Sequence, residues 1–334
     1  MILKNFDLKK KVFIIAEIGN NHEGNFNNAK KMIKLAAKAG VDAVKFQTFK
    51  TENFIRKIDK KRFNQLKKFE LSYQQFKLLR DLAHKNNLKF ISTPLDLESA
   101  NFLIANADLI KISSGDNNFF PLIDKILKTK KKIIISCGMM NIYQIKSLEK
   151  YIYNSIGKKA ASKRVAFLHC VTSYPVEDKY ANLNSIKFIK EKIGLTVGYS
   201  DHTLGIQAPL AAVVLGANII EKHFTIDKNF SNFRDHYLSS DFKELKTIVD
   251  STRRLEVQLG KMNKKIQNSE KKIIKMVRRA PYAKKDIRAK EKLSLLNTNF
   301  LRPASSANFL NLKKILGKRV KNKFLKDKII KIDF

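Results

Sequence analysis

The chain of 334 residues is poor in cysteine, poor in acids for its number of bases, and without any long apolar run. Its two cysteines, Cys137 and Cys170, form no CxxC pair and no disulfide framework, which excludes a small secreted scaffold and fits a reducing cytoplasm. Near the amino terminus the only apolar run is Val12 to Ala16, broken at once by Glu17. That is too short for a signal peptide or a membrane span, so a soluble cytoplasmic protein with no membrane partner is expected. Acids are scarce: 30 Asp and Glu stand against 67 Lys and Arg, a net charge of +37. Such an excess raises the question of nucleic acid. The lysines, however, run along the whole chain, mostly on the polar faces of predicted helices, as at Lys30, Lys31, Lys34 and Lys38. There is no basic stripe interleaved with aromatics and no helix-turn-helix, zinc-finger or RNA-binding signature, so no specific nucleic-acid partner is expected. A basic surface still draws in anionic small molecules. A GxGxxG turn after the first strand is also missing, since Gly19 to Gly24 reads GNNHEG, which argues against an open dinucleotide-binding sheet.

What is present is a repeated unit. A hydrophobic content of 44% with 10% aromatics is globular, and the length suffices for one large core and a small second domain. Eight times an apolar run ends in a polar cluster and is followed by an amphipathic stretch. The runs are Val12–Ile18, Ala43–Thr48, Phe90–Thr93, Leu109–Ser113, Ile133–Ser136, Val165–Cys170, Thr196–Tyr199 and Ile219–Phe224. Helices are predicted between them, among them Asn27–Ala39 with Gly40 as C-cap and Ser72–Asn86 with Ser72 as N-cap. Eight alternations in about 260 residues predict an α/β fold, a closed (β/α)8 TIM barrel over residues 1–262. After a helix at about Asp241–Leu259 the pattern breaks. Residues 263–276 read as a polar, Lys-rich linker, and 277–334 as a small β-rich domain with strand-like pieces at Ala280–Ala283, Phe300–Pro303 and Lys328–Ile332. About sixty residues make a marginal core, so this domain is expected to lean on the barrel or on a partner subunit.

In a parallel barrel, ligands bind at the carboxyl ends of the strands. Those ends carry Glu17, Asn20, His22 and Glu23; Lys45 and Gln47; Ser92 and Thr93; Lys111, Ser113, Ser114 and Asp116; Ser136; His169, Thr172 and Tyr174; Ser200, Asp201 and His202; Glu221 and His223. His202 and His223 stand on neighbouring strands, roughly 5 Å apart across the ladder, a spacing suited to one divalent metal. Lysines and hydroxyls converging on one mouth suit a phosphate or carboxylate group. Glu17, Asp201 and Glu221 beside the histidines suit metal binding and proton transfer. Any one of these residues has a bland explanation: a strand-end lysine is usually a solvated charge, and His169 can be a hydrogen-bonded core residue. Together they do not, because Lys45 and Lys111 lie inside apolar runs, and a buried lysine without an anion is costly.

The succession AEIGNNHEG (Ala16–Gly24), VKFQTF (Val44–Phe49), STP (Ser92–Pro94), KISSGD (Lys111–Asp116), SCGM (Ser136–Met139), HCVTSYP (His169–Pro175), GYSDHTLG (Gly198–Gly205) and LGANIIEKHFT (Leu215–Thr225) resembles the sialic acid synthase family over nearly the whole chain. The resemblance implies condensation of phosphoenolpyruvate with an N-acetylated amino hexose, such as N-acetylmannosamine or a diacetamido-trideoxyhexose, to a nonulosonic acid and phosphate, in bacterial surface-glycan synthesis. It implies a divalent metal, Mn2+ or Mg2+, on His202 and His223; a phosphoenolpyruvate seat of Lys45, Thr93, Lys111, Ser114, Ser136 and Ser200; and acceptor contacts from Gln47, Asp116, Tyr174, Asp235 and Arg302. Glu17 would act as general acid or base, with Glu221 and His202 also in the catalytic set. It further implies a carboxyl-terminal antifreeze-like (SAF) domain and a domain-swapped homodimer. Three departures bear on the acceptor: Asp116 where many members have Glu, Thr172 where some have Asn, and Ala304-Ser305-Ser306 in place of a Gly-rich turn. The rivals are a synthase for a phosphorylated sugar of the Kdo-8-phosphate type, disfavoured by the extra domain, and a non-catalytic sugar-binding barrel, disfavoured by the intact charged set.

Overall fold

A computed structural model describes residues 1–3, 6–8, 10–304 and 314–331. Ser305, Ser306 and the last residue of the piece ending at Ile332 lie outside these. The described chain forms two compact units, Met1–Gly260 and Lys261–Phe334.

Each of the eight apolar runs is a strand: β1 Phe13–Gly19, β2 Ala43–Thr48, β3 Lys89–Pro94, β4 Leu109–Ile112, β5 Lys132–Ser136, β6 Val165–His169, β7 Thr196–Asp201 and β8 Ile219–His223. They close in sequence order into a parallel barrel, with β1 sealing against β8 through the pairs Phe13↔Ile219 to Glu17↔His223. The chain is therefore a (β/α)8 barrel over this unit. Cap residues delimit the helices. The helix Phe26–Ala39 starts where the Asn25 side chain accepts the N–H groups of Asn27 and Asn28, and it stops at Gly40, whose φ of +87° only glycine takes without strain. Ser72 and Gln75 form a capping box at the head of Tyr73–Lys85.

Side chains alternate across each strand, and this sorts the residues. Phe13, Ile15, Ala43, Ile91, Leu109, Ile134, Ala166, Leu168 and Ile219 pack together inside the barrel. Ile14, Ile18, Val44, Phe46, Ile110 and Ile133 belong instead to the core shared with helix residues such as Met32, Ile33 and Leu79. Full burial of one such side chain stabilises by about 1.5–3 kcal/mol. Truncating one, as in Phe13→Ala, costs about 3–5 kcal/mol because a cavity is left. At Gly198 a Cβ would come 2.5 Å from the Ile219 carbonyl oxygen, so β7 approaches β8 there only because the residue has no side chain.

The structure adds elements that the periodicity does not announce. The β2–β3 connection carries two extra helices, Thr51–Phe54 and Lys60–Phe69. The stretch read as a linker holds a helix, Asn268–Val277, none of whose residues is buried. In the second unit β9 (Ala280–Ala283) pairs antiparallel with β10 (Thr298–Leu301). Its small core is built on Ala283, Ile287, Leu293, Ile315, Val320 and Ile330. Among the described residues, no helix is long and apolar enough to cross a membrane.

Candidate active site

The same alternation that puts Phe13 and Ile15 inside the barrel puts Glu17 above them, and likewise Lys45 and Gln47 above Ala43, Ser200 above Gly198, and Glu221 and His223 above Ile219. These side chains line a cavity of about 1120 Å³ at the carboxyl ends of the strands. Thr93, Lys111, Ser114, Ser136, Tyr174, His202 and Asp235 also line it. Of the barrel residues that the resemblance assigns to phosphoenolpyruvate, the acceptor, the metal or catalysis, all but Asp116 are therefore on its wall.

At the floor, four buried charges interlock. The Lys45 ammonium lies 2.9 Å from Glu17 Oε1 and 3.5 Å from Glu221 Oε1, and it reaches Thr93 Oγ1 at 3.4 Å. Lys111 lies 3.5 Å from the same Glu221 oxygen and donates to Ser136 Oγ at 2.7 Å. Ser200 donates to Glu221 Oε1 at 2.9 Å. Burial pushes the Glu17 carboxyl up to about 7, against the pull of Lys45 and with the push of Glu221. Glu221 goes the other way: burial would raise it, but Lys111 and Lys45 hold it down to about 2. Lys45 is raised, because Glu17 and Glu221 outweigh its own desolvation, whereas desolvation wins at Lys111 and lowers it. One carboxyl poised near neutrality beside one locked as an anion is the arrangement that separates a proton carrier from a counter-ion.

Above this floor His202 and His223 face each other with ring centroids 5.4 Å apart. His202 Nδ1 lies 2.9 Å from the Val171 carbonyl, which can only accept, so Nδ1 carries the proton and Nε2 the lone pair. Desolvation lowers His202 to about 4 and holds His223 well below the ordinary histidine value, so both rings are neutral. Nδ1 of His223, Oε2 of Glu17 and Oε2 of Glu221 are buried without a hydrogen-bond partner. Neutral imidazoles with orphaned acceptors around them fit a divalent cation. Among the described residues no group of three or more His, Cys, Asp or Glu is set to enclose one, so two histidines would hold it and leave positions for water or substrate oxygen.

Tyr174 covers His202, ring to ring at 4.2 Å, and the Arg234 guanidinium lies 4.8 Å over the Tyr174 ring. Arg234 also reaches Asp235 Oδ1 at 3.3 Å, while burial raises the Asp235 carboxyl. Gln47 is fixed by Asn20, whose amide donates to it at 2.9 Å. Ser114 Oγ sits 3.0 Å from Cys170 Sγ.

Several expected residues stand elsewhere. Asp116 does not line the cavity, and its carboxylate accepts the Ser113 hydroxyl at 2.5 Å. Asp201 is turned to the outside of the barrel by the period of two that turns Ser200 inward. There it pairs with Lys222 at 2.7 Å and accepts from Tyr199 and Thr203, so it has no part in metal binding. His169 is a satisfied core residue, stacked on Tyr199 with Nε2 3.0 Å from the Ala181 carbonyl. Arg302 is exposed and belongs to the second unit.

The wall also holds residues that the strand-end reading passes over: Arg234, and Lys61, Arg62 and Lys68 on the extra helix. Among the described residues these three lysine and arginine side chains have no carboxylate partner. The helix had a signal, with Asp59 as N-cap and Phe63, Leu66 and Phe69 recurring every third residue on its inner face.

A model described as the NeuB family matches residues 32–264 of the chain. An uncharacterized protein of Methanocaldococcus jannaschii is 43% identical over 320 residues, covering 95% of this chain and 93% of that protein. An N,N'-diacetyllegionaminic acid synthase of Campylobacter jejuni is 41% identical over 337 residues, covering 96% and 99%. The crystal structure of an N-acetylneuraminic acid synthetase from Leptospira borgpetersenii, in complex with citrate, superposes with a TM-score of 0.75 at 36% identity, covering 82% of this chain and 94% of that one.

Proposed function

The chain belongs to the NeuB family, and on that footing we propose that it is a transferase condensing phosphoenolpyruvate with an N-acylated amino hexose, giving a nonulosonic acid and phosphate. The observation that carries the reading is the shared Glu221 oxygen. Two buried ammonium groups lean on one Glu221 oxygen, and the other carboxyl beside Lys45, Glu17 at 2.9 Å, is pushed up to about 7 by burial, so the pair is short of a full complement of negative charge. A phosphorylated carboxylate supplies what is missing, with Lys45 and Lys111 as counter-ions and Thr93, Ser114, Ser136 and Ser200 as hydroxyl donors.

The reaction joins carbon 3 of phosphoenolpyruvate to the aldehyde carbon of the open-chain sugar. The aldehyde oxygen takes up a proton, water adds at carbon 2, and the tetrahedral adduct expels phosphate. Glu17 is the residue assigned to move a proton, because it lies on the floor between Lys45 and His223 with Oε2 unpartnered. Glu221 stays ionised and keeps the two lysines in place. His202 and His223 would hold a divalent cation, Mn2+ or Mg2+, which when bound polarises the aldehyde. Tyr174, Asp235 and Gln47 line the wall where the acceptor would sit.

The 261–334 unit is read as an antifreeze-like domain. By the family resemblance, Arg302 would reach the acceptor from this unit of a partner copy, in a swapped homodimer. The full-length likeness to a legionaminic acid synthase makes the diacetamido-trideoxyhexose the first acceptor to try, with N-acetylmannosamine second. Phosphate release from phosphoenolpyruvate with Mn2+ is the test. Turnover with an N-acylated hexose is expected, and turnover only with a sugar phosphate, or with no acceptor at all, would sink the reading.

A further inference from the structure

The turn after β1 contains a glutamate in an uncommon conformation. Glu23 has φ +49°, in the left-handed region, where a side chain other than glycine or asparagine costs about 1–2 kcal/mol. A loop that needed only this shape would be served by glycine, yet the position holds a carboxylate, and that carboxylate lines the cavity.

Its surroundings fix it closely. His236, wholly buried, places Nε2 3.2 Å from Glu23 Oε1, and its Nδ1 lies 2.6 Å from Thr225 Oγ1. Ser231 donates its hydroxyl to the same Oε1. A lone pair of Nε2 facing an ionised oxygen at this distance would repel it, so Nε2 carries a hydrogen and donates. With Nε2 donating, the Thr225 hydroxyl gives its single hydrogen to Nδ1, 2.6 Å away, rather than to the Asp227 carbonyl at 2.9 Å, and completes a chain of carboxylate, imidazole and hydroxyl. The loop itself is tied down by Asn21, whose amide donates to the Phe224 carbonyl and to Ser239, each at 2.9 Å. Both donors on Glu23 fall on Oε1. Among the described residues Oε2 has no bonded partner and is left to the cavity.

We propose that Glu23 is an acceptor-binding residue whose Oε2 accepts a hydroxyl or amide hydrogen of the sugar, and that His236 is the positioning residue that fixes Glu23 through Nε2–H to Oε1. This rests on the function proposed above. Nothing in the floor of lysines touches either residue, so the pair acts on the acceptor and not on phosphoenolpyruvate. A neutral polyhydroxylated ligand suits a carboxylate oxygen that has already spent its partner atom on two internal donors.

The test is steady-state kinetics on the full chain with each substrate varied in turn. Glu23→Ala is expected to raise KM for the acceptor tenfold or more while KM for phosphoenolpyruvate stays within twofold. His236→Leu moves the acceptor KM the same way by a smaller factor, and His236→Gln, which restores a donor to Oε1, recovers most of it. An acceptor KM within twofold of wild type in Glu23→Ala, or a parallel rise in both KM values, overturns the proposal. The pairing is read independently of turnover by nitrogen-15 histidine spectra of substrate-free protein, in which Glu23→Gln shifts the His236 Nε2–H signal. An unmoved signal overturns the positioning role even where His236→Leu does not fold. Wild-type protein inert toward every acceptor would overturn the function and the acceptor role together, a pattern distinct from an active wild type whose Glu23 variant is unchanged.

Discussion

Lys222 and Asp201 form an ion pair of 2.7 Å, buried almost completely, on the outward faces of the two strands whose inward faces carry Glu221, His223 and Ser200. Cutting one partner leaves the other as a buried unpaired charge. Asp201→Asn or Lys222→Met is expected to destabilise by about 3–5 kcal/mol, on the order of 10 °C in Tm for a domain of this size. Turnover per folded molecule should fall far less than it does for a floor residue. A thermal melt alongside a kinetic assay checks both, and an unchanged Tm would refute the structural role.

Glu221 poses the converse case, a carboxylate whose loss can be made good by a ligand. Glu221→Gln removes the anion shared by Lys45 and Lys111 and is expected to lower the stability of the ligand-free protein by about 3 kcal/mol or more. Phosphoenolpyruvate or inorganic phosphate should then raise Tm more in the variant than in wild type, because the anion replaces the missing charge. A smaller ligand-induced rise in the variant would count against an anion seat at the two lysines.

For the metal, binding can be followed without turnover. Titrating Mn2+ into chelator-treated protein by calorimetry or electron paramagnetic resonance should give one site. His202→Ala and His223→Ala should each weaken it by tenfold or more. Adding EDTA should stop phosphate release. Wild-type affinity in either variant would mean that the two rings do not hold the ion.

His22 supplies a pH dependence. Burial holds its folded pKa down to about 4 from an ordinary 6.5, so the folded state favours the neutral ring. The stability it contributes is complete above pH 6.5 and is lost as pH falls through the window toward 4, by roughly 3 kcal/mol. Denaturant unfolding from pH 7 to 4 should show a shallower decline in His22→Gln than in wild type. Equal slopes would place the titration elsewhere.

The rim cations make an ionic-strength prediction. Lys61, Arg62 and Lys68 stand at the mouth without carboxylate partners, where they raise the local concentration of anions. Charge reversal at Lys61 and Arg62 should lower kcat/KM for phosphoenolpyruvate severalfold at low salt, and the difference should shrink toward 0.5 M salt. A salt-independent loss would point to direct contact instead.

Much of this was open to reading in the linear chain, for a definite reason. Strand periodicity is exact, so once Phe13–Gly19 is a barrel strand with Phe13 inside, Glu17 must be inside as well, and Lys45 and Lys111 betray themselves as charges in apolar runs. The same rule, applied one step further, would have turned Asp201 outward: it stands one residue from Ser200 and so on the other face. Asp116 misled because it lies beyond a strand end, where the period no longer fixes direction and a Ser113 hydroxyl captures the side chain. The helix Lys60–Phe69 was missed because seven of its ten residues are polar or charged, leaving only Phe63, Leu66 and Phe69 as an apolar stripe, which is easily lost in a β2–β3 connection. The Glu23–His236 pair joins residues 213 positions apart, and nothing local foretells it.

At Gly24 the backbone of the β1 turn passes so close to the Lys68 carbonyl oxygen that a Cβ would overlap it. The turn bearing Glu23 and the inserted helix bearing Lys61, Arg62 and Lys68 are thus moulded to each other, main chain against main chain. A chimaera that grafts either segment alone from a relative with another acceptor should clash or gape at this seam, whereas transplanting both together should carry the donor's preference with them. On the reading of Glu23 as an acceptor contact, the two segments would be inherited as one unit, with Gly24 as the joint between them.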